Sequence, residues 1–99
     1  MSVVLEFSIF PTDKGESVSL YVSKVIKMIR GLDIKHQLTP MGTIIETETL
    51  KEALNVIEKS YDILKKENAQ RVYISTNIDI RVGKNNRLEQ KIKSINDKI

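Results

Sequence analysis

Hydrophobic and polar residues alternate from Val3 to Phe10. Val3, Leu5, Phe7 and Ile9 fall on one side; Val4, Glu6, Ser8 and Phe10 fall on the other. A period of two predicts a strand with one face on a core, and Pro11 ends it. After the loop TDKGE the period changes. Val18, Val22, Val25, Ile26 and Ile29 recur at spacings of three and four, which predicts a helix. Ser17 is placed to cap that helix, and Gly31 to supply a left-handed residue that ends it. Residues 34–39, IKHQLT, read as a second strand with Ile34, His36 and Leu38 on one face. Pro40-Met41-Gly42 makes a turn, and residues 43–47, TIIET, read as a third strand. Thr49 to Glu52 is a capping box, opening a helix whose apolar stripe reads Leu50, Ala53, Leu54, Ile57, Tyr61 and Leu64. Residues 71–82 give the clearest alternation. Val72, Ile74, Thr76, Ile78, Ile80 and Val82 face one way; Arg71, Tyr73, Ser75, Asn77, Asp79 and Arg81 face the other. Asn86 to Glu89 forms a second capping-box pattern before a short helix striped by Leu88, Ile92, Ile95 and Ile99.

The order is strand, helix, strand, strand, helix, strand, then a helix. That is the α+β, ferredoxin-like βαββαβ arrangement in a single domain over residues 1–99. It predicts a four-stranded antiparallel sheet with the first and third strands central, both main helices on one face, and the other face open.

Composition narrows the chemistry. The chain has no cysteine, and His36 is its only histidine, so a disulfide framework and a thiolate metal site are excluded and no metal centre is expected. His36 falls on the helix-facing side and reads as a packed residue. No apolar run approaches the roughly 20 residues of a membrane span, and no basic segment precedes the first apolar run, so a cytoplasmic protein is expected. Sixteen basic and 13 acidic side chains leave a net charge of +3. The charges are interspersed, whereas a nucleic-acid binder concentrates them on one surface. No glycine-rich phosphate loop and no Ser/His/Asp arrangement is present, and no cofactor is expected.

The open face carries the candidate chemistry. Strand alternation puts Glu6, Ser8 and Phe10 on it, with Lys35, Gln37 and Thr39, then Ile44 and Glu46, then Tyr73, Ser75, Asn77, Asp79 and Arg81. Short hydrogen-bonding side chains mixed with Phe10, Ile44 and Tyr73 suit an interface or a pocket better than open water. Glu6 and Glu46 fall near mid-sheet. A partly desolvated carboxylate needs a cationic or multi-donor partner. Arg81 or Lys35 could supply it from within the chain, and a ligand could supply it from outside. Phe10 and Tyr73 fit base stacking on such a sheet, but the RNA-recognition aromatic signature is absent and the carboxylates would repel phosphate.

The stretch PMGTIIE at 40–46, with Pro11 and SVSLYV at 17–22, and IDIR at 78–81, together resemble the small thiamine-binding, YkoF-like family. The resemblance spans essentially the whole chain. It implies a ferredoxin-like subunit that assembles as a tetramer through its sheets, a ligand of the thiamine or hydroxymethylpyrimidine type, and no established catalytic activity. By position, Thr43 and Glu46 match the family's Thr and Glu, and Ser17 and Ser19 match its serines. Many members have Gly directly after that Glu; here it is Thr47, whose side chain could reshape a pocket. An aminopyrimidine offers a ring nitrogen and an exocyclic amine, which Glu46 could hold while Ser, Thr, Gln and Asn complete the set. The expectation is a non-enzymatic, homotetrameric small-molecule-binding protein with Glu46, Thr43, Ser17, Ser19, Ser8, Gln37 and Asn77 at its site. A structural or regulatory module using the open face for assembly is the alternative. An enzyme with Glu6 and Glu46 as paired acid and base is a third reading.

Overall fold

The computed structural model covers residues 1–99. Its elements are β1 (Ser2–Pro11), α1 (Ser19–Arg30), β2 (Lys35–Thr39), β3 (Gly42–Thr47), α2 (Leu50–Lys66), β4 (Val72–Arg81) and α3 (Arg87–Asn96). The four strands form one antiparallel sheet in the order β2-β3-β1-β4. This is the ferredoxin-like arrangement with an added C-terminal helix.

Alternation sets the core. Val3, Leu5, Phe7 and Ile9 of β1 and Ile45 of β3 are buried together with Val25, Ile26 and Ile29 of α1 and Ala53, Val56 and Leu64 of α2. Burying each such aliphatic or aromatic side chain stabilises the fold by roughly 1.5–3 kcal/mol. The α2 stripe is rotated from the expected one. Ala53, Val56, Ser60 and Leu64 are buried, while Leu54 and Tyr61 are exposed. Ser60 tolerates full burial because its hydroxyl donates to the Val56 carbonyl, 2.7 Å away.

The helix ends differ from expectation in three places. Helix α1 begins at Ser19 with Val18 at its N-cap, and no side chain caps it. The Val18 carbonyl accepts from Tyr21 and Val22 (3.0 Å each), so the first turn starts one residue beyond the position Ser17 could cap. Gly31 closes that helix at φ −80°, so no left-handed residue is used there. Of the two capping boxes read from the sequence, only the first caps its helix. Thr49 accepts from the Glu52 amide (3.1 Å) and caps α2, but Asn86 has left-handed backbone (φ 54°) and makes no cap bond to α3. Its side-chain oxygen accepts from the Lys35 ammonium instead.

Helix α3 lies on the face opposite α1 and α2. Glu46, Val4 and Asp79 form one row across β3, β1 and β4 on that face. Arg87, the first residue of α3, spans the row. Its amide binds the Glu46 carboxylate, and its guanidinium binds the Asp79 carbonyl (2.8 Å) and carboxylate (3.2 Å). Asp79 thus pairs with Arg87 and Lys91.

Candidate functional site

Two features of the molecule carry polar chemistry, and they sit at opposite ends of β3. The first is the clasp at Glu46. This residue is only 9% exposed. Its carboxylate accepts from the Ser2 hydroxyl (2.5 Å), the Arg87 amide (2.9 Å) and the Leu88 amide (3.3 Å). The last two are unpaired donors at a helix N-terminus, where a negative charge is also favoured by the helix dipole. Burial pushes the Glu46 carboxyl up, but the Ser2 hydroxyl, the two amides and the Lys35 charge together outweigh it and hold the group below its ordinary range. The donors that a partly desolvated carboxylate requires therefore come from the chain itself. Glu6 is not its partner: Glu6 lies opposite Ile44 and Asn77, and Glu46 opposite Val4 and Lys35.

The second feature is a cavity of about 380 Å³ where β1 runs on past the start of β3. Its walls are the second half of β1, the first turns of α1 and the β2–β3 turn, with Val18, Val22, Leu38 and Met41 supplying apolar surface. Thr43, buried on the helix side of β3, and Ser8, on the other face of β1, both line it. The turn is braced from inside. The Thr39 hydroxyl accepts from the Met41 and Gly42 amides (3.2 and 3.1 Å) and donates to the Gly42 carbonyl (2.9 Å). The Ser8 hydroxyl reaches across to the Met41 carbonyl (2.9 Å). Gly42 is required for that approach, since a Cβ there would stand 3.0 Å from the Phe7 carbonyl oxygen and 3.1 Å from the Ser8 hydroxyl.

The residues singled out in the sequence are only partly brought together. Thr43 and Ser8 share the cavity. Ser19 lies beside it, in a groove along α1 whose walls include Val22, Ile26 and Leu38, residues that also line the cavity. Ser17 is exposed on the loop before α1. Gln37 lies opposite Ile44 and lines a shallow recess with Leu88 and Glu89 of α3. Asn77 is exposed on β4 opposite Glu6. Glu46 is three residues from Thr43, about 10 Å along a strand at roughly 3.4 Å per residue. Thr47 points to the helix layer and donates to the Thr49 carbonyl (2.8 Å), away from the cavity. Sequence reasoning missed the apolar wall, because Val18, Leu38 and Met41 come from three segments. The turn PMG beside Thr43 was the available signal. It also missed Arg87, whose burial follows from where α3 docks.

A family model described as thiamine-binding protein matches residues 5–96. A UPF0045 protein of Methanocaldococcus jannaschii is 38% identical over 95 residues, covering 96% of this chain and 93% of the relative. A UPF0045 protein of Bacillus subtilis is 40% identical over 84 residues, covering 81% and 80%. The crystal structure of the M. jannaschii protein superposes with a TM-score of 0.82 over 97% of each chain. A Thermotoga maritima structure, provisionally assigned to thiamine biosynthesis or salvage, superposes with a TM-score of 0.80 at 19% identity, covering 96% of this chain and 99% of that one, and speaks to the fold alone.

Proposed function

The chain belongs to the thiamine-binding protein family, and from that premise we propose that it is a non-enzymatic, cytoplasmic binding protein for thiamine or its hydroxymethylpyrimidine part. The cavity beside the β2–β3 turn is the binding site in this reading. Its volume of about 380 Å³ falls in the range of roughly 300–1,000 Å³ usual for small-ligand pockets, and it pairs a mostly apolar wall with a few polar groups. One observation carries the assignment. The hydroxyls of Thr39, Thr47 and Thr49 are all committed to nearby backbone, whereas Thr43, which lines the cavity, makes no side-chain hydrogen bond within the chain. A free hydroxyl can both donate and accept, and a heterocycle with ring nitrogens and an amine offers it partners of both kinds. Ser8 stands across the cavity and Ser19 at its flank; Glu46 acts as the clasp for α3 rather than as a ligand contact.

Calorimetric titration tests this. Thiamine or 4-amino-5-hydroxymethyl-2-methylpyrimidine is expected to bind the wild type. Thr43→Val keeps the shape and removes the hydroxyl. The loss of one neutral hydrogen bond, about 0.5–1.5 kcal/mol, corresponds to roughly twofold to tenfold weaker binding. Absence of binding to the wild type overturns the reading.

Assembly as a homo-oligomer, most simply a tetramer, is part of the same proposal. The outer edge of β4 and the apolar stripe of α3 are both uncovered in the single chain, and a second copy is the occupant that a symmetric oligomer supplies.

A further inference from the structure

The β1–β4 ladder fixes which way each backbone group of β1 points. Thr12, one residue past β1, donates its amide to the Arg71 carbonyl (2.8 Å), which extends the pairing beyond Pro11 and Val72. Antiparallel bonds alternate along a strand. Even-numbered residues of β1 therefore bond to β4, and the odd-numbered ones, Val3, Leu5, Phe7 and Ile9, turn toward β3. Val3, Leu5 and Phe7 meet Thr47, Ile45 and Thr43 there, but the pairing stops at Phe7. The next rung would set Met41 opposite Ile9. Met41 is in the turn, and both of its backbone groups are used elsewhere. Its carbonyl accepts from the Ser8 hydroxyl (2.9 Å), and its amide donates to the Thr39 hydroxyl (3.2 Å). Ile9 is thus left with an N–H and a C=O directed at β3's missing rung, and Ile9 lines the cavity. Unpaired backbone groups in a buried residue are rare because they cost as much as a lost hydrogen bond.

Resting on the reading of the cavity as a pyrimidine site, we propose that the backbone of Ile9 is the element that recognises the ring. An extended residue presents its N–H and C=O side by side on one edge, the pair that an antiparallel partner residue would engage from the opposite side. A 4-aminopyrimidine offers the complement: a ring nitrogen that accepts, next to an amine that donates. The ring nitrogen takes the Ile9 N–H, and the amine donates to the Ile9 carbonyl. The heterocycle then stands in for the rung that the β2–β3 turn withholds. A peptide strand does not fit this role, because the next residue of β1 that turns toward β3 is Pro11, which has no N–H, so one full rung is open and not several. The recognition uses no side chain at this position, which is why no residue type in the sequence marks it.

The test uses the full chain. The 4-amino-5-hydroxymethyl-2-methylpyrimidine is titrated into isotope-labelled protein, and the Ile9 amide is followed by NMR. It is expected to shift downfield and to exchange its proton more slowly when the ligand is bound. A chemically synthesised chain with an ester at residue 9 keeps the isoleucine side chain and replaces the N–H by oxygen. It removes no N–H donor of the β ladder, weakening only the Ser8 carbonyl as acceptor toward Ser75, and it should bind the pyrimidine roughly tenfold more weakly. If the pyrimidine binds and shifts other cavity residues, yet leaves the Ile9 amide unmoved and the ester chain equally avid, the Ile9 inference falls and the ligand reading stands. If the wild type binds neither the pyrimidine nor thiamine, both fall.

Discussion

At the scale of single residues, Glu46 shows how far a side chain's need can be read and where the reading stops. A carboxylate among short polar groups near mid-sheet announces that it requires donors. It does not announce that two of them are backbone amides some 40 residues later (Arg87 and Leu88), because an amide carries no sequence signature. Glu46→Gln is expected to lower stability by about 1.5–3 kcal/mol, the worth of hydrogen bonds to a charged group, while leaving pyrimidine affinity unchanged. The pH dependence has a definite sign. The Glu46 carboxyl lies below its ordinary value of 4.5 in the folded chain. Its contribution is therefore complete above that ordinary value and is lost as pH falls through the depressed one. The difference in melting temperature between wild type and Glu46→Gln should shrink on acidification; a constant difference contradicts the clasp. Taking the difference cancels Asp13 and Asp79, whose carboxyls are held low by the Gln70 amide and by Lys91 respectively in both proteins.

Two further substitutions belong at this scale. Gly42→Ala places a Cβ against the Phe7 carbonyl, which as backbone cannot move aside. It should cost about 1–3 kcal/mol, the usual range for overpacking, measured by chemical denaturation. Arg87 runs the other way. Its guanidinium is buried, and Nη2 is well bound, but Nε and Nη1 have no partner. A half-satisfied buried charge is weak evidence of stability. Arg87→Met should be close to neutral, since the Asp79 left behind is exposed and keeps Lys91, and the backbone amide that Glu46 uses is retained. A large loss of melting temperature in that variant would show that the Asp79 pairing matters more than its geometry indicates.

At the scale of elements, periodicity was the dependable signal. The strands are legible because one face is buried and a period of two has few competing explanations. The helix stripe of α2 was less so. Leu54 and Tyr61 fit the expected stripe, but the sheet lies toward Val56 and Ser60, and hydrophobicity alone cannot tell a residue facing the core from one about 100° around the helix. The caps failed for a different reason. Ser17 and Asn86 have suitable side chains in nearly suitable places, yet Val18 and Glu46 occupy those functions, one by backbone and one from a distant strand. The cavity was legible only at Thr43 and Ser8. Its central feature in our reading, the missing rung at Ile9, arises from a mismatch in strand lengths, and a mismatch of that kind is visible only when the register is known.

At the scale of the whole molecule, the uncovered surfaces ask for explanation together. Strand β4 is ten residues long and lies at the edge of the sheet. Because Arg81, Asp79, Asn77, Ser75 and Tyr73 face the even-numbered residues of β1, the backbone groups of Val72, Ile74, Thr76, Ile78 and Ile80 point outward. Ile74, Ile78 and Ile80 are also 38%, 41% and 46% exposed, since the helix layer does not extend over them. A long, unpaired, apolar edge is a surface that natural proteins cover, twist or charge. Here no lysine lies within the strand and no proline interrupts it. Helix α3 repeats the pattern: Leu88 is docked, but Ile92 and Ile95 are 50% and 62% exposed. Antiparallel pairing of β4 with β4 of a second copy satisfies the edge and covers the isoleucines in one step. Closing the α3 stripes of two such dimers on one another would give the tetramer. Ile78→Lys puts a charge in the middle of that edge without touching the core. Light scattering at micromolar concentration should then report a mass below that of the wild type, with helical content and pyrimidine binding retained. A wild type that is monomeric under those conditions removes the assembly proposal. An Ile78→Lys protein that keeps the full oligomeric mass moves the interface from β4 to α3, where Ile95→Lys becomes the substitution expected to break it.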